Sequence, residues 1–149
     1  MSDGWYQAAI RRLCDSAGIA EWEAVVAIRQ IEAGGYPVAL FPEPDGERAL
    51  GVYVELTNRA VTDAALLHRL LEANIGGAGG GFCLIPGADR IAFRSRVANA
   101  DRLSGPALMS CILDLAMRAG TSLREALHTD TAPVPRGRRA APAGRETQA

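Results

Sequence analysis

The sequence predicts an α+β fold in which a strongly twisted antiparallel sheet packs against helices. Segments with apolar residues at three- and four-residue spacing, typical of helices, occur near the start, in the middle and near the end of the chain. Between them lie short segments rich in valine and isoleucine, some of which alternate in polarity as strands do. With 149 residues, 48% hydrophobic and 22% charged, the chain has the size and composition of one soluble globular domain.

The first half is predicted to form one helix followed by three strands. Asp3 can cap the helix, whose apolar residues recur up to Ala17, and Gly18 ends it. In the third strand, alternation separates an apolar face from a face that carries Tyr53 and Glu55. Strands joined by turns this short form an antiparallel meander most simply. The expected strands are 22–31, 38–41 and 50–56, with turns at 32–35 and 43–47.

The second half is predicted to form a helix, two strands and a final helix. Thr62 or Asp63 caps the helix that ends at Ala73, and Asn74 and Gly76 can stop it because both tolerate positive φ. Five of the six residues 76–81 are glycine, which indicates a hinge. Strands are expected at 82–85 and 90–97, and a helix from Ser104, in which mid-helix Gly120 indicates a kink or a close helix contact. The element order is α-β-β-β-α-β-β-α. The domain is predicted to span residues 1–128. Residues 129–149 are rich in Arg, Pro and Ala and are predicted to form a disordered tail.

Composition and charge argue against several partner classes. No apolar run approaches the ~20 residues of a membrane-spanning helix, and no secretory signal is apparent, so a cytoplasmic location is expected. The net charge is −1, with four arginines against one aspartate and one glutamate after Thr129. The body is therefore mildly acidic, which argues against nucleic acid as a main partner. Contact of the tail arginines with RNA or an acidic membrane is a weaker alternative.

Residues suited to catalysis or metal binding are scattered. Cys14, Cys83 and Cys111 form no CxxC or Cys/His cluster, so we interpret them as small buried apolar residues and expect no metal or other cofactor. The alternative is a lone reactive thiol. The glycine run at 76–81 follows a helix instead of a strand, and the chain has no lysine, so it does not match a phosphate-binding loop. We therefore expect no catalytic site.

Two sets of side chains have more than one interpretation. Arg90, Arg94 and Arg96 alternate on one strand face, where we interpret them as solvated edge charges, with contact to an acidic partner as the alternative. The short second helix carries four leucines, a wide apolar stripe that a small sheet and three helices need not cover completely. Burial in a twofold homodimer is the expected solution. Simple burial in the core is the rival one.

Several segments together resemble the small chaperones of bacterial type III secretion, the Tir-chaperone family. These are the helix ending in "LLEAN" at 70–74, an apolar strand followed by "PG" at 86–87, the strand "RIAFRSRV" at 90–97 and one closing helix. The resemblance covers residues 4–128. The rich glycine hinge, the Ser122-Leu123-Arg124 segment where the family often has an aromatic residue, and the tail depart from the family pattern.

The resemblance implies a cytoplasmic bacterial homodimer without enzymatic activity that contributes to virulence. Such a chaperone binds the N-terminal segment of a secreted effector and keeps it soluble and competent for secretion, and the ATPase of the secretion machine is a candidate second partner. The family's dimer interface corresponds to Leu67, Leu70, Leu71, Ile75, Phe82, Leu84 and Phe93. Its effector-binding surface corresponds to Ile10, Leu13, Val38, Leu40, Phe41, Val52, Tyr53 and Val54.

Two other functions remain open at the level of sequence. One is a small α+β regulator or scaffold that binds a cellular partner outside secretion. The other is a small enzyme or ligand-binding protein with a polar cavity near the glycine hinge. A deep polar cavity at 76–81 would favour the last of these, and an exposed loop there would argue against it.

Overall fold

Five strands and four helices make up the computed structural model, which describes residues 4–44, 47–76 and 80–131. The strands are β1 (Gln30–Ala33), β2 (Tyr36–Pro42), β3 (Leu50–Glu55), β4 (Gly80–Leu84) and β5 (Ile91–Val97). The helices are α1 (Gly4–Ala17), α2 (Trp22–Ile28), α3 (Ala64–Ala73) and α4 (Gly105–Thr131), with 3₁₀ turns at Asn74–Gly76 and Ala100–Arg102. All strand pairs are antiparallel, in the order β1-β2-β3-β5-β4. The predicted α+β class and antiparallel sheet are confirmed.

The segment predicted as the first strand is the main correction. Residues 22–28 form α2, and only Gln30–Ala33 is a strand. Trp22, Val25 and Val26 fall at helical spacing and pack against the core, so the segment follows a period of 3.6 although it is rich in valine. Arg29 ends the helix with φ 58°, and its N–H donates to the Val25 carbonyl at 2.7 Å. This left-handed residue turns the chain into β1.

At the helix ends, the Asp63 cap is among the confirmed predictions, and two other predictions are corrected. The Asp63 carboxylate caps α3 by accepting from the N–H groups of Ala65 and Leu66, at 3.0 and 3.3 Å. Asn74 does not adopt positive φ; it has φ −65° and leads into a 3₁₀ turn. The helix α4 reaches Thr131, three residues into the segment predicted as a tail. Asp3, residues 45–46, hinge residues 77–79 and tail residues 132–149 lie outside the described residues.

One face of the sheet forms the hydrophobic core with the helices. Register pairs place Val38 opposite Val54 and Leu40 opposite Val52, and all four are buried. The Tyr6 hydroxyl of α1 donates to the Leu40 carbonyl at 2.7 Å, which ties the first helix to the centre of the sheet. The long helix α4 contacts α1 and α3 as well as β1, β3 and β5, so it lies along the same core.

Glycine allows two close approaches of α4. A Cβ on Gly105 would lie 2.2 Å from the Arg12 carbonyl oxygen, so only glycine brings the start of α4 this close to α1. A Cβ on Gly120 would lie 2.4 Å from the Tyr36 hydroxyl. The mid-helix glycine therefore marks a close contact, as predicted, although the neighbour is a tyrosine at the start of β2 and not another helix.

The opposite face of the sheet, here called the outer face, carries a mixture of aromatic and charged side chains. Alternation from the core-facing positions places on it Phe41 of β2, Tyr53 and Glu55 of β3, and Arg94 and Arg96 of β5. Of these side chains, none is fully buried. This face is partly exposed and has the character of a binding surface.

Candidate partner-binding surfaces

An apolar groove lies between α3 and the edge strand β4. It has a volume of about 170 Å³ and is lined by Leu67, Leu70, Leu71, Phe82, Cys83, Leu84 and Ile91. The Asp63 cap fixes the start of α3, and helical spacing then directs Leu67, Leu70 and Leu71 towards β4. The structure therefore brings five of the seven predicted dimer-interface residues into one groove.

Exposure divides six of the predicted dimer-interface residues into two groups, and Leu67 lies between them. Leu70, Phe82 and Phe93 are buried, and the rings of Phe82 and Phe93 meet edge to face with centroids 5.3 Å apart. Leu71 is 65% exposed, Ile75 87% and Leu84 39%. Large apolar side chains with this much exposure at neighbouring positions are typical of a surface that a partner covers.

The free edge of β4 is partly occupied by a side chain of the same chain. The Phe82 N–H donates to Asn74 Oδ1 at 2.7 Å, and Asn74 Nδ2 donates to the Phe82 carbonyl at 3.0 Å. A Cβ on Gly81 would lie 3.1 Å from Asn74 Oδ1, so glycine gives the amide room against the strand. The amide group thus takes the place of a neighbouring strand at one residue.

Most of the predicted effector-binding residues lie in the core. Ile10, Leu13, Val38, Leu40, Val52 and Val54 are at most 1% exposed. A side chain without exposed surface cannot contact a partner unless the core opens, so the prediction is corrected for these six residues. The reason is that the apolar side of β2 and β3 packs against the helices. Phe41 and Tyr53 point to the outer face and are partly exposed.

Phe41 and Tyr53 belong to an ordered cluster on the outer face. Their rings meet edge to face with centroids 5.2 Å apart. Arg94 donates from Nε to the Tyr53 hydroxyl at 2.9 Å and from Nη2 to both carboxylate oxygens of Glu43, at 2.8 and 3.1 Å. The hydrogen bond to Tyr53, and then Glu43, raise the pKa of Arg94. A Cβ on Gly51 would lie 2.5 Å from Glu43 Oε2, so glycine lets this carboxylate lie over β3.

The three arginines of the β5 segment have acidic partners within the chain. Arg90 pairs with Glu55 at 3.5 Å, Arg94 with Glu43 at 2.8 Å, and Arg96 with Glu47 at 3.0 Å. Because β5 lies between β3 and β4, these are not edge charges, which corrects that interpretation. Each partly exposed pair contributes about 0–1 kcal/mol, so the pairs order the outer face more than they stabilise the fold.

The cysteines that the sequence offers for metal binding or catalysis are separated in the structure. Cys14 is buried, and burial, followed by the charge of Asp15, raises the pKa of its thiol. Burial likewise raises the pKa of the partly buried Cys83. Within the described residues, no group of three or more His, Cys, Asp or Glu side chains could hold a metal ion. In the same ranges, no helix is both long and apolar enough to span a bilayer.

An open depression lies beside the described end of the glycine hinge. It is lined by residues of β4 and β5 that include Gly80, Gly81, Arg94 and Arg96. Both arginines already pair with carboxylates of this chain, at 2.8 and 3.0 Å. Hinge residues 77–79 lie outside the described residues, so the predicted enzyme or ligand site near the hinge stays untested.

Comparison with known proteins finds a likeness among solved structures. No model of a protein family matches the sequence, and no curated protein matches it. A solved structure described as "Structure of the HopA1-SchA Chaperone-Effector Complex" aligns with 86% of this chain and 94% of that chain. The aligned residues are 16% identical, and the TM-score is 0.46.

Reasoning from the sequence missed two features of these surfaces. Asn74 was interpreted only as a helix stop, whereas its side chain binds a strand eight residues further along the chain. Glu43 was assigned to a turn, whereas it holds Arg94 at 2.8 Å on the outer face. Neither contact has a signal in local spacing, because both depend on how separate elements come together in the tertiary structure.

Proposed function

We propose that this protein is a type III secretion chaperone that binds the N-terminal segment of an effector protein and keeps it soluble before secretion. The observation that carries the proposal is the pairing of a small α+β domain with an exposed apolar groove, in which Leu71 and Leu84 remain 65% and 39% exposed. The likeness of segments 70–74 and 90–97 to the Tir-chaperone family supports the same function. The chaperone acts by binding and not by catalysis.

We assign the groove to a homodimer interface. Leu71 and Leu84 line the groove and form its exposed part, and Ile75, in the 3₁₀ turn that follows α3, is a further exposed apolar side chain. A twofold interface uses the same patch on both protomers, and a self-complementary apolar patch suits that arrangement. Leu67 adds contact area, whereas Leu70, Phe82 and Phe93 support the groove from within the core.

We assign effector binding to the outer face and the β1 edge. The Leu40 N–H donates to the Arg29 carbonyl at 2.9 Å, so Gln30 and Ala39 form a non-hydrogen-bonded pair. The backbone groups of Gln30 and Glu32 therefore point away from β2. An extended effector segment that pairs with this edge would extend the sheet and lay alternate side chains along the outer face towards Phe41 and Tyr53.

The proposal places the protein in the bacterial cytoplasm, with the ATPase of the secretion machine as a candidate second partner. The decisive experiment is co-expression with N-terminal segments of secreted proteins encoded beside its gene, followed by mass measurement with light scattering. We expect a dimer that gains the mass of one cargo chain and keeps that chain soluble. A protein that binds none of the segments contradicts the chaperone function. A dimer that instead retains a cellular protein favours the alternative function of a regulator or scaffold outside secretion.

A matched pair of variants tests the effector surface. Tyr53→Asp places a charge on the outer face beside Phe41, so we expect it to weaken cargo retention at least tenfold. Met117→Asp is the control, because Met117 is an apolar side chain with 65% exposure in α4, which packs on the opposite side of the sheet from the outer face. Equal cargo retention by both variants would contradict the assignment of the outer face.

A further inference from the structure

The two edges of the sheet differ in how their backbone groups are satisfied. The Ile85 N–H donates to the Arg90 carbonyl at 2.9 Å, which makes Leu84 and Ile91 a non-hydrogen-bonded pair. The N–H and C=O of Leu84 therefore point away from β5, and those of Phe82 and Gly80 do so as well, because the pattern repeats every two residues. These three residues form the outward ladder of β4.

Asn74 occupies the middle of this outward ladder. Its side-chain amide accepts from the Phe82 N–H at 2.7 Å and donates to the Phe82 carbonyl at 3.0 Å. This reciprocal pair of bonds is the pattern that a residue of an added strand would form. For the outward groups of Gly80 and Leu84, the described part of the chain shows no comparable partner. A strand added here would have to displace the amide first.

The same edge carries side chains that favour self-association. Phe82 and Leu84 line the apolar groove beside the edge, and Leu84 is 39% exposed. Unpaired edge groups next to exposed apolar side chains promote pairing between sheets of different molecules. The β1 edge differs, since its outward residues Gln30 and Glu32 are polar and exposed. Of the two sheet edges, the β4 edge therefore has the greater tendency to self-associate, and it is the edge that Asn74 covers.

We propose that Asn74 is an edge-blocking residue, which stops β4 of a second copy of this chain from adding to the sheet. This role is independent of whether the protein is a secretion chaperone. It confines contact between copies to side-chain packing and keeps the backbone ladder of β4 closed. The residue acts through its amide, so a side chain that cannot form both hydrogen bonds blocks the edge less well.

Hydrogen exchange followed by NMR tests the first part of the proposal in the full chain. Asn74→Ala is expected to speed exchange of the Phe82 amide at least tenfold, while the Cys83 amide, bonded within the ladder to β5, changes little. Asn74→Asp keeps an acceptor for the Phe82 N–H but brings a second carboxylate oxygen against the Phe82 carbonyl oxygen, so its protection is expected to fall between that of the unaltered protein and that of Asn74→Ala. Unchanged protection in Asn74→Ala, or equal loss in both variants, would overturn the proposal.

Sedimentation velocity over a range of concentrations tests the second part. Asn74→Ala is expected to form larger species with rising concentration than the unaltered protein does. Leu84→Pro removes an outward N–H without removing a bond to β5, so the double variant is expected to lose these species. Absence of larger species in Asn74→Ala, or their persistence with Leu84→Pro, would overturn the blocking role. Both comparisons are made against the unaltered protein, so they hold whether that protein is a monomer or a dimer and whether or not it binds an effector.

Discussion

Leu70 and Leu71 offer a matched test of the groove, because they are the same residue type at adjacent positions in α3. Leu70 is 3% exposed, whereas Leu71 is 65% exposed. We expect Leu71→Asp to abolish dimer formation and leave the fold intact. We expect Leu70→Asp to unfold the protomer, because it places a charge in the core, where a carboxylate has no partner.

The magnitude follows from the surface that Leu71 has left to bury. Full burial of a leucine side chain contributes about 1.5–3 kcal/mol. With 65% of Leu71 exposed, its burial in an interface contributes about 1–2 kcal/mol per protomer, or about 2–4 kcal/mol per twofold dimer. At about 1.4 kcal/mol per tenfold change, Leu71→Ala should weaken dimer formation roughly 30- to 700-fold. Leu71→Asp should weaken it further.

Sedimentation equilibrium gives the dimer dissociation constant, and circular dichroism with thermal melting reports the fold of each variant. For Leu70→Asp we expect a loss of more than about 2–5 kcal/mol, the range for truncating a buried leucine to alanine. A Leu71→Asp protein that remains dimeric would show that the groove is not the interface. A Leu70→Asp protein that melts like the unaltered one would show that the packing of α3 against the core is wrong.

Two further predictions concern the core. Gly120→Ala should lower stability in urea denaturation, because the clash of the new Cβ with the Tyr36 hydroxyl outweighs the gain of about 1 kcal/mol in helix propensity. Adding Tyr36→Phe should restore much of the lost stability. A Gly120→Ala protein that is more stable than the unaltered one would contradict the close contact. Because the folded pKa of Cys14 is raised above its ordinary value of 9.0, its neutral thiol stabilises the fold below that pH, and this contribution should be lost as the pH rises above 9. Denaturant titrations at pH 8 and pH 10 should therefore show a smaller loss for Cys14→Ala than for the unaltered protein, and an equal loss would contradict the shift.

Local signals predicted most of the fold. Asp63 caps α3 as expected, because an aspartate before an apolar helix can satisfy free N–H groups of the first turn. Alternation from Leu50 to Glu55 correctly separated the fully buried side chains of Leu50, Val52 and Val54 from the partly exposed ones of Tyr53 and Glu55. The α2 segment was mispredicted because its valines favour strands by propensity, whereas the positions that pack against the core follow helical spacing. Tertiary packing decided between the two periods there.

The binding surfaces were less predictable than the fold. For β3 the pattern showed two different faces, and the family resemblance placed Val38, Leu40, Val52 and Val54 on a surface that the helices in fact cover. Among the predicted effector-binding residues of those strands, Phe41 and Tyr53 are the two that stay partly exposed. The contact of Asn74 with Phe82 depends on the path of the chain between α3 and β4. Contacts of that kind follow from tertiary structure and have no local sequence signal.

The arrangement of satisfied groups suggests how one small sheet can keep assembly and cargo binding apart. On the outer face, Arg94 already binds Glu43 at 2.8 Å, so its charge is compensated before any partner arrives. At the β4 edge, Asn74 fills the Phe82 position, so the groove beside it can attract a second protomer through side chains such as Leu71 without offering a free ladder at that position. The outward groups of Gln30 and Glu32 on β1 have no such blocking side chain among the described residues. If an extended segment adds to the sheet, backbone pairing therefore favours β1, and the dimer proposed at the groove leaves that edge accessible because β1 and β4 are at opposite ends of the sheet.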